Sequence, residues 1–301
     1  MLLDREATLT QAVKALHEAA DQDAGLVVFP ETYLPGYPAW IWDLKPGADY
    51  GLTQDIHDEL LANSVDLSSD ELRPLQDAAA ERQATAVVGV HERDGSFSRA
   101  TLYNTLVTIG PDGSILNRHR KLVPTNPERM VWGMGDGSGL RTVDTPFGRL
   151  GGLICWENYM PLARYALYAQ GVEVYVASTW DSGGTWLATM RHIAAEGRCW
   201  VIGSGCSLRR EDVPASFVGR ERLFVDQDWI NPGDSVVVAP GGRVVAGPMH
   251  EEHGVLVAEI EPARAAADHR TLDVAGHYAR PDVFDLRIDR TPRGPVTFTD
   301  G

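Results

Sequence analysis

Apolar residues at Leu9, Ala12, Val13, Leu16, Ala19 and Ala20 recur at helical spacing and predict an amphipathic helix over residues 4–23. Gly25 follows, and the run Leu26-Val27-Val28-Phe29, stopped by Pro30, predicts a short buried strand. Residues 72–83 read as a second helix and 85–90 as the next strand. Strands over 101–109 and 115–122 are joined by Pro111-Asp112-Gly113, and strands over 141–145 and 149–155 by Pro146-Phe147-Gly148. Helical patterning returns over 160–169, with Gly171 just past its end, and over 186–196. Between and after these lie β-rich runs at 172–177, 199–203, 235–239, 244–245 and 254–260. Mixed segments with many antiparallel hairpins predict two sheets packed together with helices outside. With no internal repeat, linker or low-complexity tract, residues 1–301 read as a single domain.

Composition adds bounds. Of 301 residues, 44% are hydrophobic and 23% charged, so a sizeable core can be buried. The formal net charge of -15 comes from scattered acidic residues, which disfavours nucleic acid and anionic membranes as partners. No apolar run has the length of a membrane span, and the opening MLLDREATLTQ has no signal-peptide core. Three cysteines without paired spacing predict free thiols and a cytoplasmic location. The nine histidines show no HExxH pair and no close metal-ligand clustering with cysteine, so no metal is expected. Gly133, Gly135, Gly137 and Gly139 alternate without a strand before and a helix after, which argues against a dinucleotide loop.

Three segments carry candidate chemistry. Glu31 follows an apolar strand, where α/β folds display catalytic groups. Alone it reads as a solvated loop acid, but Tyr33, Pro35, Gly36, Tyr37 and Pro38 make the loop stiff and aromatic, suited to lining a pocket. His119-Arg120-Lys121 reads as a basic face, yet Leu122-Val123-Pro124 half-buries it, so one cation should point inward. A buried Lys needs a carboxylate partner, and Glu31 and Glu128 are available. Cys155 ends the glycine-rich run from Leu150, where a strand should turn into a helix. At such a nucleophile elbow, helix N-terminal amides are expected to lower the thiol pKa and to hold an oxyanion. Cys199 and Cys206 read as small buried hydrophobes. His192 reads as a packing residue, and a Cys-His dyad built on it is the competing assignment.

Taken together, FPETYLPGYP with Glu31, HRKLVPT with Lys121 and GGLICWENYMPLARYA with Cys155 resemble the nitrilase branch of the carbon–nitrogen hydrolase superfamily. ERMVWGMGDGSGL, from Glu128, and DVAGHYARPDVF extend the resemblance over nearly the whole chain. It implies a four-layer αββα sandwich, a homodimer or a larger helical homo-oligomer, and a Glu31-Lys121-Cys155 triad supported by Glu128. Pocket positions implied by it are Tyr37, Trp132, Trp156, Thr179 and Trp180. The resemblance further implies hydrolysis of a small nitrile through a covalent thioimidate and thioester, with Lys121 and the Trp156 amide stabilising the developing negative charge. The mechanism it implies requires no cofactor. An amidase or carbamoylase on the same triad is the alternative, with a non-catalytic scaffold or binding member as a remote one. Cys155-Trp156-Glu157-Asn158 looks like nitrilases, where amidases usually carry aspartate or tyrosine. Trp132, Trp156, Trp180 and Trp186, near the site segments, favour aromatic or arylaliphatic substrates. One departure stands out: the family opens with an apolar strand before its first helix, and here only Met1, Leu2 and Leu3 precede residue 4.

Overall fold

A computed structural model describes residues 2–296 and 299. The chain runs through α1 (Arg5–Ala20), β1 (Leu26–Val28), α2 (Tyr50–Asn63), α3 (Arg73–Arg82), β2 (Thr85–Arg93), β3 (Leu102–Ile109) and β4 (Ile115–Arg120). It continues through β5 (Val143–Thr145), β6 (Gly148–Ile154), α4 (Pro161–Tyr168), β7 (Val174–Thr179), α5 (Gly183–Glu196) and β8 (Trp200–Gly205). The last elements are β9 (Ser207–Arg209), β10 (Trp229–Ala239), β11 (Arg243–His250) and α6 (Pro262–Asp268).

Two sheets form. One is four-stranded in the order β1-β2-β3-β4; the other is seven-stranded, β11-β10-β8-β7-β6-β5 with β9 added on β10. Side-chain alternation along each strand builds three apolar layers from them. Val87 and Leu106 of the first sheet meet Leu150, Ile154, Val174 and Val176 of the second, so the two sheets share an inner layer. Ala86, Val88, Val90, Val107 and Ile109 point the other way, against Leu9, Ala12 and Leu16 of α1 and Leu75 and Ala79 of α3. On the far face, Leu153, Tyr175 and Ala177 pack under Leu167 of α4 and Trp186, Met190 and Ile193 of α5. The architecture is the αββα sandwich. Strands such as β2 read as nearly continuous apolar runs because both their faces are covered.

Local signals set the ends. Asp4 caps α1 by accepting the Ala7 N–H at 2.9 Å, and α3 ends on Gln83 at φ 51°. The helix α2 was not legible in the sequence, since Gly47 and Gly51 flank its start and only Ile56 and Leu60 are buried along it. Helix α6 was also missed.

The strand expected at 254–260 does not form. Those residues make no backbone–backbone hydrogen bond among the described residues, although Ala258 and Ile260 pack on Trp200 and Val237. They face β1 across a groove of about 1140 Å³, walled also by α1. Among the described residues strand β1 pairs only with β2, so its outer edge opens onto that groove. Among the described residues no helix is long and apolar enough to cross a membrane.

Candidate active site

The site lies where both sheets end. After β1 the chain passes through Phe29, whose N–H donates to Val87 O at 2.8 Å, and then turns through Pro30 and Glu31 against β2. Gly89 makes this approach possible. A Cβ there would stand 2.4 Å from both Pro30 O and Thr32 N, so only glycine lets the Glu31 turn lie on the strand.

Glu31 is fully buried. Its Oε1 accepts from Asn104 Nδ2 at 2.7 Å and from Lys121 Nζ at 2.8 Å, and its Oε2 accepts the Trp180 N–H at 2.7 Å. Lys121, at the end of β4, donates also to Glu128 Oε2 at 2.7 Å. Glu128 takes the Thr125 N–H at 2.6 Å and the Tyr37 hydroxyl at 2.7 Å. One ammonium therefore sits between two buried carboxylates, and neighbouring donors satisfy two further lone pairs on each, the condition under which a buried ion pair is tolerated. Burial opposes the charge on Lys121, but Glu31, with Cys155 and Glu128, outweighs it and holds the ammonium above its ordinary pKa. Glu31 is raised: burial and then Glu128 push it up, against Lys121 and Asn104.

Cys155 stands at the end of β6 with φ +50°, in the left-handed region where a non-glycine residue is strained. Its sulfur is within electrostatic reach of the Thr179 hydroxyl, Glu31, Lys121 and Glu128. The expected lowering of the thiol pKa is not produced by this environment. Burial, then the Glu31 charge, raises it well above the usual thiol value, against Lys121 and Thr179. Cys155 opens only a short 3-10 helix, Cys155–Tyr159, and α4 starts at Pro161, so the helix-terminus effect is weak while the desolvation is complete. The Trp156 amide lies in the first turn of that 3-10 helix, where N–H groups lack an acceptor within the helix.

The five pocket positions surround this network. Tyr37 stacks on Trp180, ring centroids 4.2 Å apart and planes 7° apart. Trp132 lies 5.8 Å from Lys121 Nζ, and its indole N–H donates to His91 Nδ1 at 3.0 Å. Trp156 is half exposed and donates to Asp181 Oδ2 at 3.0 Å. Thr179 is buried beside the sulfur. Trp186 does not belong with them: it is fully buried between α5 and the second sheet, edge-on to Tyr159. The aromatic-substrate reading that counted it therefore loses one of its four tryptophans. His192 is exposed on α5 and among the described residues pairs only with Glu196 of its own helix, at 3.7 Å, so the Cys-His dyad built on it does not form.

Two residues at the site, Asn104 and His91, had not been singled out, and two others, Cys206 and Glu157, had been given no part in it. Asn104 on β3 clamps Glu31. His91 is held at a pKa of about 3 by burial, stays neutral, and joins Gly36 O to Trp132. Cys206 donates its thiol to Glu31 O at 3.2 Å. Glu157 bridges two strand ends. No local pattern assigns these roles; a buried Asn inside the apolar β3 and the place of Glu157 beside Cys155 were the available hints. Among the described residues no group of three or more His, Cys, Asp and Glu is placed to hold a metal ion.

Residues 1–270 match the family described as carbon-nitrogen hydrolase. The chain is 41% identical over 294 residues to an aliphatic nitrilase of Sinorhizobium fredii, covering 97% of this chain and 94% of that protein. It is 39% identical over 308 residues to a bifunctional nitrilase/nitrile hydratase of Lupinus angustifolius, covering 98% and 85%. Among solved structures, a carbon-nitrogen hydrolase from Helicobacter pylori superposes with a TM-score of 0.69 at 20% identity over 93% of this chain and 92% of its own, a likeness of fold. On the family match over most of its length and on relatives near 40% identity, this chain belongs to the carbon–nitrogen hydrolase family.

Proposed function

We propose that the protein is a nitrilase that converts a nitrile and two waters to a carboxylic acid and ammonia through a thioester on Cys155. The observation that carries this is the Lys121 ammonium held between Glu31 and Glu128 beside a buried, strained cysteine. The relatives named nitrilases, aligned over nearly the whole chain, support it.

A nitrile carbon is a weak electrophile and calls for a soft nucleophile, which a thiolate supplies. The resting thiol keeps its proton, because burial and the carboxylates raise its pKa. Glu31, itself raised by burial, takes that proton as sulfur attacks carbon and passes it to the nitrile nitrogen, giving a thioimidate. Lys121 and the Trp156 amide stabilise the negative charge that builds on nitrogen, and Glu128 fixes Lys121. Water, deprotonated by Glu31, adds to the thioimidate. Ammonia leaves with the returned proton, and a second water releases the acid from the thioester. Expulsion of the thiolate in place of ammonia yields the amide as a minor product. The pocket is walled by Tyr37, Trp132, Trp156, Thr179 and Trp180, and its aromatic surface favours aromatic or arylaliphatic nitriles.

We read residues 1–301 as one domain, its four-stranded sheet open at β1, acting as a homodimer or larger helical homo-oligomer in the cytoplasm. Exposed apolar side chains at Tyr278, Val283, Phe284 and Leu286 support self-association, and three free cysteines suit a reducing compartment. The test is paired kinetics on phenylacetonitrile and phenylacetamide and on a short aliphatic pair, scoring ammonia, acid and amide. Nitriles should show the higher kcat/KM, with acid as the main product. Amides consistently faster, with inert nitriles, would overturn the reading in favour of an amidase.

A further inference from the structure

Lys121 and Cys155 reach the site from different sheets, β4 and β6. The faces between those sheets are apolar. Apolar contact is non-directional and fixes no register to the tenths of an ångström that proton transfer needs. On the Glu31 side, polar tethers supply that register: Ser178 Oγ donates to Phe29 O at 2.8 Å, and the Trp180 N–H donates to Glu31. On the Lys121 side the tether is a carboxylate that plays no part in the mechanism above. Glu157 Oε1 accepts the N–H of Leu122, the residue after Lys121, at 2.7 Å. Its Oε2 accepts the N–H of Ile154, the residue before Cys155, also at 2.7 Å. His119, two residues before Lys121, places Nε2 at 3.1 and 3.0 Å from the same two oxygens.

The carboxylate and the imidazole are both buried, Glu157 1% exposed and His119 1%. Among the described residues His119 Nδ1 is buried with no partner. Nε2 is the ring nitrogen that donates to Glu157, whose ionised oxygens can only accept. Burial pushes the Glu157 carboxyl up, but His119 and the two amides outweigh it and hold it below its ordinary value, an anion that keeps both tethers.

We propose that Glu157, oriented by His119, is a positioning residue that locks the Lys121 strand end to the Cys155 turn across the two sheets. It touches neither the substrate nor the reacting atoms; it acts through where it puts the ammonium relative to the sulfur. The inference rests on the Glu31-Lys121-Cys155 reading above.

The experiment compares wild type with Glu157→Gln, Glu157→Asp, His119→Leu and His119→Gln, with Cys155→Ala as control. Active sites are counted by the covalent substrate adduct in rapid-quench intact-mass analysis, so that misfolded protein drops out of the rate. In Glu157→Gln one oxygen becomes an NH₂ facing a backbone N–H, which severs one tether at almost constant volume. Misplacement of about 1 Å should lower kcat per titrated site about 100-fold while KM stays within about threefold. Glu157→Asp should retain more activity than the Gln variant. His119→Leu, which leaves both tethers and removes only the orienting donor, should lose about tenfold. His119→Gln, which restores a donor, should recover most of that. Wild-type kcat per titrated site in Glu157→Gln overturns the proposal. Should that variant not fold, His119→Leu decides, and wild-type kcat with no rescue pattern overturns it equally. Activity surviving in Cys155→Ala would instead sink the triad reading itself, so the two failures are told apart.

Discussion

Replacing Lys121 by Met separates the contribution of its ammonium to folding from its contribution to chemistry. Lys121 Nζ lies 2.8 Å from Glu31 and 2.7 Å from Glu128, with all three side chains at most 1% exposed. Met fills most of the stem volume, so the chief loss is charge. Two buried carboxylates are left facing one another without a cation, a change that costs about 3–5 kcal/mol in stability. In a chain of 301 residues this corresponds to a drop in melting temperature of roughly 5–15 °C. Glu31 already has a raised pKa from burial, and removing Lys121, which lowers it, raises it further. A carboxyl raised in the folded state binds its proton more tightly there than in the unfolded chain. Its contribution to stability is therefore complete below the unfolded value and lost as pH rises through the folded one. The deficit of the Met variant should accordingly be largest near pH 8 and shrink toward pH 5. Loss of the cation at the developing charge should separately lower kcat by about 10²–10³. The double variant Lys121→Met/Glu128→Gln splits the two effects: with one carboxylate neutralised, most of the lost melting temperature should return while the activity does not. Differential scanning fluorimetry from pH 5 to 8 and ammonia release per titrated site are the assays. A double variant that recovers activity together with stability would refute the reasoning, since Lys121 would then be structural alone.

Other outcomes rest on the same geometry. Cys155→Ala should abolish turnover and the covalent adduct, while Cys199→Ala and Cys206→Ala keep most activity, because Cys199 lies in the helix-side core and the Cys206 thiol donates to the backbone carbonyl of Glu31 rather than to its carboxylate; an active Cys155→Ala would remove the nucleophile assignment. Gly89→Ala should lower kcat by about 10² and reduce the melting temperature, since the new Cβ would meet Pro30 O and Thr32 N at 2.4 Å and push the Glu31 turn off β2; wild-type kinetics in that variant would show that the turn yields without consequence. Prolonged chelation should leave ammonia release unchanged, and a loss restored by Zn²⁺ would count against a metal-free triad.

How much was legible in the sequence depended on whether the information was local. Period and punctuation are local properties, so α1, α3, β2 to β8 and the hairpin turns could be read within a few residues of their observed ends. Both sheet layers follow from them, because strands apolar on both faces require a cover on each side. The motifs around Glu31, Lys121 and Cys155 are likewise local, each at the end of a strand. Tertiary structure decided the features that depend on partners distant in sequence. Residues 254–260 have the composition of a strand, yet a strand exists only if another edge lies beside it, and β1 stands across a groove. Trp186 sits close in sequence to Trp180, but the turn of α5 carries it into the helix-side core. The thiol pKa was expected to fall from helix amides nearby in sequence; complete burial and two carboxylates from distant segments raise it. The bridging role of Glu157 was invisible for the same reason. Its donors lie at Leu122 and Ile154, on strand ends of different sheets, and only packing the two layers brings one carboxylate within 2.7 Å of both.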